Sequence, residues 1–566
     1  MARVTPLSLD AASYEVHNAL RYRLVSTYSL ADTVSRSWSG EAADLLHGKA
    51  GLFRRASQAN MARVLLGAPE RQLKTSLEQN MNGRKGWRLP ITITLVIASF
   101  SSLALCQPAT CNAQYVFQYS KTWQVFPNGR DDTANLQCAF DHAVTVPGST
   151  VLLAAGTYLT SQLVTYNFYG TFKGMGQQQT TVEALPNLPV NFPDVVNGLC
   201  QPNTTDCRWP DLIVFVDGDI SITDMTIKVS AVPSTQPWQI FGSTWTALID
   251  VVRVMGQHPT NAHVERVAME GMPDNDATSA SGFNVLNAML YAGELPKSRT
   301  PFDYYFLSGT FSVSNSSFKS MFDGPAMDGF MRNSQITFGG SPAGANTFNN
   351  VPVPLWLCNI ETSLVEISYN VGGGTYGGLL VVPWLPAFVP SGPSLFLIHN
   401  NDFQPAGPYA SGITLQDDPN HQVISALISD NTIEAQDIGY DAIAAYYTNG
   451  TTVVNNKISG AGADGIGIWD GTYASVLGND VTKFTLNSDS GLAQIVLDGS
   501  LQGLADTSNS TVICKTPEDT VLNLGTNNRV IGCRGISATT KGIIAPDPRP
   551  RQLPRRDLLG RGVRQP

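Results

Sequence analysis

The sequence predicts a parallel β-helix, a fold in which short strands wind into coils that stack along one axis. A phrase that begins with asparagine recurs at steps of 31, 30, 25 and 23 residues, as Asn370-Val, Asn401-Asp-Phe, Asn431-Thr-Ile, Asn456-Lys-Ile and Asn479-Asp-Val. A second phrase recurs in phase with it at steps of 30 and 23 residues, as Gly412-Ile-Thr-Leu, Ala442-Ile-Ala-Ala and Gly465-Ile-Gly-Ile. Two signatures in phase indicate one supersecondary unit stacked on the next. The units are too short and too rich in glycine and β-branched residues for helix pairs.

The composition suits a solenoid and argues against some partners. Charged residues make up 14% of the 566 residues, and the formal net charge is -9, so nothing indicates binding to nucleic acid. No Lys or Arg occurs between Asn333 and Asn456, which makes the repeat region acidic. Residues 541–566 combine several arginines with prolines, and we predict that they form a disordered basic tail.

A targeting segment precedes the predicted solenoid. Met81 is followed by Arg84, Lys85 and Arg88 and then by the apolar stretch Leu89–Leu105. A basic region before a short apolar core is typical of a secretory signal peptide. The apolar stretch is slightly short for a membrane span of about 20 residues. Two interpretations stay open: translation begins at Met81, or the chain has a signal anchor and a cytoplasmic N-terminus.

These segments define the predicted domains. Residues 1–80 form an N-terminal extension without a motif, residues 81–113 form the signal peptide or signal anchor, and residues 114–540 form the β-helix that precedes the tail. We therefore expect a secreted or cell-surface protein, with a single-pass membrane protein as the alternative. The residues that end at Cys106 resemble a bacterial lipoprotein box. Cleavage after Ala113 is an equally plausible interpretation.

Export permits disulfides. Cys200 and Cys207 bracket a short loop that they could close, while Cys514 and Cys533 lie 19 residues apart and could staple the last coils. Zinc is the alternative, but neither paired histidines nor a Cys-x-x-Cys motif accompanies these residues. We therefore favour disulfides over a metal site.

The start of the predicted solenoid resembles a known family. An apolar stripe at helical spacing follows Asp132, a candidate helix N-cap, and precedes the first strand. The residues that carry the resemblance are Asp131-Asp-Thr, Leu136-Gln, Ala143, Pro147-Gly-Ser-Thr-Val and Gly156-Thr-Tyr. They resemble the N-terminal cap and first coil of pectate-lyase-like right-handed β-helix proteins. The resemblance implies an all-β, single-stranded, right-handed parallel β-helix with a short N-terminal capping helix. It leaves the function open, because this superfamily holds lyases, hydrolases, epimerases, phage tailspikes and adhesins.

The resemblance also places the two phrases within a coil of three strands. The asparagine phrase looks like the turn between the second and third strands, where side-chain amides can bond along the axis at the strand spacing of ~4.8 Å. We therefore predict a structural role for these asparagines. The second phrase looks like the first strand, which lines the usual binding cleft of the family.

Alternate residues of the first strands are predicted to point outward. The outward residues at the strand ends are Gln416, Tyr446, Trp469 and, when Leu497 is aligned with Ile468, Asp498. Aromatic rings stack on the apolar faces of sugars, so this column is interpreted as a polysaccharide-binding platform. The alternative is that the aromatic residues are covered by a neighbouring loop or subunit.

Carboxylates flank the same strands. Asp441 and Asp464 both precede the second phrase and should lie on adjacent coils, where they would repel each other. One would then hold a proton, or both would bind a cation such as Ca²⁺. A carboxylate pair is also the machinery of glycoside hydrolysis, with one member as general acid. Asp417, Asp418 and Asp470 follow the strand ends and are interpreted as substrate-binding, although Asp is also common in turns.

These observations predict an exported protein that binds and cleaves a polysaccharide, with Asp441 and Asp464 as the catalytic carboxylates. A non-catalytic, adhesin-like surface protein is the alternative. A further alternative is a lyase or epimerase that works in the irregular middle of the chain, where Arg253, Arg266 and Arg332 lie. The sequence predicts no metal ligands, and Ca²⁺ is the one cofactor considered. A membrane would be contacted only through the N-terminal anchor.

Overall fold

The computed structural model describes most of the predicted solenoid. The described residues are 110–186, 211–230, 245–252, 260–272, 285–292, 308–327, 331–358, 360–382, 392–407, 410–418, 422–435, 438–483, 493–498 and 506–536. All of them belong to one compact unit, Gln107–Pro566. Among them, no helix has the length and hydropathy of a membrane span.

The chain enters the solenoid through a hairpin and a helix. Strand β1 (Val116–Tyr119) pairs antiparallel with β2 (Thr122–Val125), and helix α1 (Thr133–Ala143) follows. The helix buries Leu136 and Phe140 against the end of the core. This capping helix confirms the prediction from the sequence, because an uncovered solenoid end would expose its apolar interior to water.

Asp132 occupies the N-cap position of α1, but the predicted capping hydrogen bond is absent from the described structure. The Asp132 Oδ1 atom instead accepts a hydrogen bond from the backbone N–H of Asn128 at 2.9 Å. The neighbouring Asp131 Oδ1 accepts from the backbone N–H of Thr133, also at 2.9 Å. The carboxylate of Asp132 therefore stabilises the preceding turn, and that part of the prediction is wrong.

The strands that follow in the described residues all run parallel to their neighbours. In the first half they are β3 (Ser149–Leu153), β4 (Gly156–Thr160), β5 (Leu163–Lys173), β6 (Thr180–Ala184), β7 (Ile213–Lys228), β8 (Trp245–Val252), β9 (Asn261–Glu270), β10 (Val285–Ala292), β11 (Thr310–Ser314), β12 (Ser317–Lys319), β13 (Asp323–Met327), β14 (Met331–Arg332), β15 (Gln335–Phe338), β16 (Thr347–Asn349), β17 (Leu355–Cys358), β18 (Ile360–Glu361) and β19 (Leu364–Ser368). A short 3-10 helix, Pro342–Gly344, lies between β15 and β16.

The second half of the described solenoid is more regular. Its strands are β20 (Val371–Gly372), β21 (Gly377–Val382), β22 (Ser394–His399), β23 (Asp402–Phe403), β24 (Ser411–Gln416), β25 (Ile424–Ser429), β26 (Thr432–Glu434), β27 (Ile443–Tyr446), β28 (Thr452–Val454), β29 (Lys457–Ser459), β30 (Ile466–Trp469), β31 (Ser475–Leu477), β32 (Asp480–Thr482), β33 (Ile495–Asp498), β34 (Thr511–Ile513), β35 (Thr520–Asn523), β36 (Arg529–Ile531) and β37 (Arg534–Ile536).

The parallel strands form three stacks, apart from β14 and β18, which pair in a separate two-stranded sheet, and the fold is a right-handed parallel β-helix, as the sequence predicts. Stack A contains the first strand of each coil and runs through β8, β10, β13, β17, β21, β24, β27, β30, β33, β35 and β37. Stack B runs through β3, β11, β15, β19, β22, β25, β28, β31, β34 and β36. Stack C runs through β4, β6, β12, β16, β20, β23, β26, β29 and β32. The long strands β5, β7 and β9 bend from one stack into the next.

Inward side chains from all three stacks form one continuous apolar core. In stack A, the side chains that the sequence predicts to point inward are fully buried in this core, namely Ile413, Leu415, Ile443, Ala445, Ile466 and Ile468. Burial of this apolar column is the main contribution to the stability of a coil, because the coil's polar groups already form hydrogen bonds with the neighbouring coils.

A ladder of buried asparagines follows the turn between stacks B and C. The side-chain amide of Asn370 donates to Asn401 Oδ1 at 3.0 Å, and the same contact measures 2.9 Å from Asn401 to Asn431. It continues at 2.9 Å through the last two asparagines of the phrase, Asn456 and Asn479. The structural role predicted for these residues is confirmed. The ladder begins one coil earlier than predicted, because the Asn346 amide donates to Asn370 Oδ1 at 3.0 Å.

Two disulfides stabilise the ends of the described solenoid. Cys514 and Cys533 are bonded with a Cα–Cα distance of 5.3 Å, which confirms the predicted pair. Cys111 and Cys138 form a second disulfide that ties the N-terminal segment to α1, and cleavage after Ala113 would remove one of its partners. Disulfides persist in oxidising compartments, so both bonds fit an exported protein.

Several predictions concern parts of the chain outside the described residues. These are the N-terminal extension, residues 81–109 of the targeting segment, the pair Cys200 and Cys207, Arg253, and the tail from residue 541. They stay predictions.

The asparagine ladder yields a test of stability. Asn431 Oδ1 accepts from both the backbone N–H and the side-chain amide of Asn401. We expect Asn431→Ala to lower the free energy of unfolding by about 2–4 kcal/mol, because it leaves buried donors without their acceptor. Urea denaturation measures this loss. The control is Asn349→Ala at an exposed strand position, where we expect a change of about 0.5 kcal/mol or less; equal losses would contradict a special role for the ladder.

Candidate functional site

The candidate site lies on the outer face of stack A, at strands β24, β27, β30 and β33. Gln416 pairs in register with Tyr446, Tyr446 with Trp469, and Trp469 with Asp498. The alignment of these four residues, predicted from the two phrases, is therefore confirmed. Adjacent members of this column are one strand spacing apart, about 4.8 Å.

The two aromatic residues of this column are buried. Tyr446 is 9% exposed and Trp469 is 2% exposed, and their rings stack with a centroid distance of 6.3 Å and an angle of 13°. They pack with Tyr447, Val496 and Leu522 in an apolar cluster outside the main core. The expectation of an open aromatic platform is wrong, because the rings lie against each other and against apolar side chains of adjacent coils. The structure favours the alternative, in which the aromatic residues are covered.

Asp441 is held by donors on the next coil. Its Oδ2 atom accepts a hydrogen bond from Trp469 Nε1 at 2.8 Å, and its Oδ1 atom accepts from the backbone N–H of Asp464 at 3.0 Å. Gly467 makes room for this arrangement, since a Cβ atom there would overlap both the indole nitrogen and the carboxylate. The glycine in the middle of the phrase is the sequence signal for this contact, which was not predicted.

Burial changes the acidity of Asp441. The residue is 4% exposed, and this burial raises the pKa of its carboxyl group to about 6, although the two N–H donors act in the opposite direction. Burial penalises the charged form, so the group holds its proton into the mildly acidic range. A carboxyl group with this pKa can serve as a general acid.

Asp464 has a similar position one coil further along. It is fully buried, and its Oδ1 atom accepts a hydrogen bond from the backbone N–H of Ala493 at 2.8 Å. The two predicted catalytic aspartates therefore lie on adjacent coils, as expected, and each accepts a backbone hydrogen bond from the following coil. Both are built into the turn before stack A, where buried N–H groups need an acceptor.

The other predicted binding residues differ in their surroundings. Asp417 is 3% exposed and accepts hydrogen bonds from the backbone N–H groups of Asp418 and Ile424, while burial raises the pKa of its carboxyl group to about 6. This geometry matches the turn role that is common for Asp. Gln416 and Asp418 are half-buried beside it.

Asp470 is the least satisfied carboxylate of the group. It is 1% exposed with a φ of +51°, and neither of its oxygens has a hydrogen-bond partner within the described part of the chain. Burial and the negative charges of Asp498 and Asp506 raise the pKa of Asp470 to about 6. Asp506 was not predicted, because it lies outside both repeated phrases.

The surroundings of Asp441 do not suit a metal ion, because N–H donors already point at both oxygens of its carboxylate. One cluster among the described residues has the spacing of metal ligands, and it consists of Cys111, Cys138 and His142. Two of its three members form a disulfide, so their sulfurs are not thiolate ligands.

A second pair of buried carboxyl groups, which was not predicted, lies in the irregular middle of the chain. Asp211 and Asp250 are 3% and 4% exposed and share a side-chain hydrogen bond. Burial raises the pKa of Asp211 to about 7 and that of Asp250 well above its usual value, where the charge of Asp211 adds to the effect. Six strand steps of stack A separate β8 from β27, so this pair is about 29 Å from Asp441.

The described arginines of the middle are engaged by carboxylates. Arg266 Nε donates to Asp224 Oδ1 at 2.6 Å, and this contact raises the pKa of the guanidinium group. Arg332 forms an ion pair with Glu361, which is fully buried. A base for β-elimination must lose its proton, and the Asp224 contact makes this harder for Arg266.

The comparisons with known proteins agree on the fold. Residues 390–544 match a family model described as a right handed beta helix region. A search of curated proteins finds no match.

Solved structures with a similar chain path have different activities. The mannuronan C-5 epimerase AlgE6 A-module of Azotobacter vinelandii is 15% identical, with coverage of 72% of this chain and 96% of its own and a TM-score of 0.41. The family 28 exopolygalacturonase of Yersinia enterocolitica is 11% identical, with coverage of 74% and 77% and a TM-score of 0.34. The surface protein and adhesin PfbA of Streptococcus pneumoniae is 13% identical, with coverage of 73% and 96% and a TM-score of 0.35. Likeness at this level carries no conclusion about activity.

Asp470 yields a test of the pH dependence of stability. The pKa of Asp470 is raised in the folded state. Its favourable contribution to the free energy of unfolding is therefore fully present below about pH 4 and is lost as the pH rises through about 6. We therefore expect Asp470→Asn to raise the free energy of unfolding at about pH 7.5, by up to about 3 kcal/mol, and to have little effect at about pH 4. Thermal unfolding at both pH values measures the difference.

The matched control is Asp430→Asn. Asp430 has a similar φ of +55° but is exposed, and Asn tolerates this backbone region equally well. We expect this variant to be neutral at both pH values. A stabilisation of Asp470→Asn that persists at low pH would contradict the electrostatic explanation.

Proposed function

We propose that this protein binds a polysaccharide and hydrolyses it at the outer face of stack A, with Asp441 as the general acid. The observation that supports this proposal is the carboxyl group of Asp441, which keeps its proton to about pH 6 beside a stacked pair of aromatic rings. A carboxyl group with a shifted pKa is a feature of catalytic sites, and a pKa near 6 suits proton donation to a glycosidic oxygen.

In this proposal the residues have separate roles. Asp441 donates its proton to the glycosidic oxygen, and Asp464 on the adjacent coil is the second carboxylate that hydrolysis requires. Once Asp441 is ionised, the N–H groups of Trp469 and Asp464 stabilise its negative charge at 2.8 and 3.0 Å. Burial raises the pKa of the Tyr446 phenol well above its usual value, so this group stays neutral beside Asp441.

A non-catalytic binding protein is the second candidate function. One observation favours it: Asp441 and Asp464 both accept backbone hydrogen bonds from the next coil, which is sufficient reason for buried carboxylates at these positions. In that case the β-helix is a rigid spacer that presents its loops to a glycan.

A glycan screen with three variants separates these candidates. We expect wild-type protein to release new reducing ends from at least one polysaccharide, and Asp441→Asn and Asp464→Asn to lose this activity by at least about a hundredfold. Asp250→Asn is the control for the second carboxyl pair and should retain activity. Binding without reducing ends or unsaturated products rejects hydrolysis and favours the binding protein. If only Asp250→Asn loses activity, the catalytic site lies in the irregular middle of the chain.

The role of Trp469 can be tested through the pH profile. Trp469→Phe removes the N–H that favours the charged form of Asp441, so the pKa of this carboxyl group should rise. We expect the alkaline limb of the activity profile to move to higher pH. Tyr446→Phe is the control, because it keeps the stacked ring and leaves the indole hydrogen bond in place. An unchanged profile in Trp469→Phe would exclude Asp441 as the titrating acid.

A further inference from the structure

The outer face of stack B carries an apolar stripe in the C-terminal half of the solenoid. It begins at Leu364 on β19 and ends at Ile531 on β36; its members are Leu364, Leu395, Leu397, Leu427, Val454, Leu477, Ile513 and Ile531. Leu364, Leu395, Leu427 and Ile513 are 40%, 44%, 37% and 43% exposed. Exposed apolar residues that adjoin in this way mark an interaction surface.

The fold itself does not require apolar residues at these positions. Two coils before the stripe, the same register positions of stack B carry Thr310 and Ser312, and one coil before it they carry Gln335 and Thr337. The core side of these earlier strands is as apolar as elsewhere, with Phe311 fully buried. The change to leucine, valine and isoleucine is therefore confined to the outer surface of the later coils.

The outer face of stack C shows a different pattern. The outward positions of stack C are polar or charged and include Lys319, Asn349, Glu434, Lys457 and Asp480. Val371 is an exposed apolar residue on that stack, at 38%. The described part of stack C therefore has no stripe like that of stack B.

The charge of the stripe favours a copy of the same surface as its partner. Its acidic side chain, Glu366, lies 3.6 Å from His399 Nε2, so the carboxylate and the imidazole face each other within one molecule. The remaining polar neighbours on the middle strands are hydroxyls, such as Ser425, Thr452 and Ser475, which can both donate and accept. Arg529, an exposed outward residue of β36, is a basic side chain at the far end of the stripe. The charges along the stripe therefore have both signs, and two copies would meet without strong repulsion between like charges.

The size of the stripe supports a weak association. It crosses seven strands from β19 to β36, which gives a length of about 29 Å, and strands of about four residues on average give a width of about 14 Å. The product is about 400 Å² per molecule, or about 800 Å² for two copies. This total lies below the standard size of stable specific interfaces, so a weak, transient dimer is expected.

We propose that two copies of this chain associate through the apolar stripe of stack B, face to face and related by a two-fold axis. Flat sheets pack in this way at about 10 Å, with their outward side chains interdigitated. A two-fold interface brings the same surface together from both copies, which is the arrangement that a self-complementary face permits. The surface is separate from the outer face of stack A, so the proposal does not depend on the proposed catalysis.

Analytical ultracentrifugation of the full chain tests this proposal. We expect the wild-type protein to show a dimer mass that dissociates on dilution, with a dissociation constant in the range of about 1–100 µM. The double variant Leu395→Asp and Leu427→Asp should be monomeric at every concentration. Its two new carboxylates would be buried in the interface opposite the same carboxylates of the second copy. Both side chains are exposed, so circular dichroism and thermal unfolding should match the wild type.

The matched control is Val371→Asp. It makes the same change at a similarly exposed position on stack C, and we expect it to dimerise like the wild type. A wild-type chain that is monomeric at every concentration overturns the proposal, even if a hydrophobic dye binds the stripe. Equal weakening by Val371→Asp also overturns it, because association would then not depend on stack B.

Discussion

The structure depends on one constraint: every coil must supply acceptors for the backbone N–H groups that its turns bury. The asparagine ladder meets this need between stacks B and C. From Asn401 to Asn479, each Oδ1 atom accepts from the backbone of the preceding coil, as Asn431 does for Asn401 at 3.0 Å. The amide nitrogens up to Asn456 donate to the next asparagine. Because a buried N–H without a partner costs about 1–3 kcal/mol, the ladder fixes the register of the coils, and the apolar core packs within that register.

The candidate site uses the same device with a different side chain. Before stack A, Asp441 and Asp464 accept the backbone hydrogen bonds that asparagines accept at the other turn. An amide would satisfy these donors without titrating, whereas a carboxyl group adds a proton that is held to about pH 6 at Asp441. The indole of Trp469, seated over Gly467, completes this arrangement. A structural position thus carries a titratable group, so burial alone does not separate a scaffold role from the proposed catalysis.

Periodicity explains which features could be predicted from the sequence. The stacks, the ladder and the alignment of Tyr446 with Trp469 all repeat, so two phrases in phase were enough to place them. The burial of these rings depends on packing outside the repeat, against residues such as Leu522, and no local pattern encodes it. The disulfide between Cys111 and Cys138 and the carboxyl pair in the irregular middle join segments that carry no repeat, and only the three-dimensional structure brings them together.

The unequal steps of the asparagine ladder have a consequence for how this chain tolerates insertions. From Asn370 to Asn401 the chain takes 31 residues, and from Asn456 to Asn479 it takes 23. Yet the two amide contacts measure 3.0 and 2.9 Å. The number of residues in a coil therefore varies while the contact between neighbouring ladder asparagines stays constant. A guest peptide inserted between two strands of one coil would accordingly be accommodated while the coils above and below stay in register.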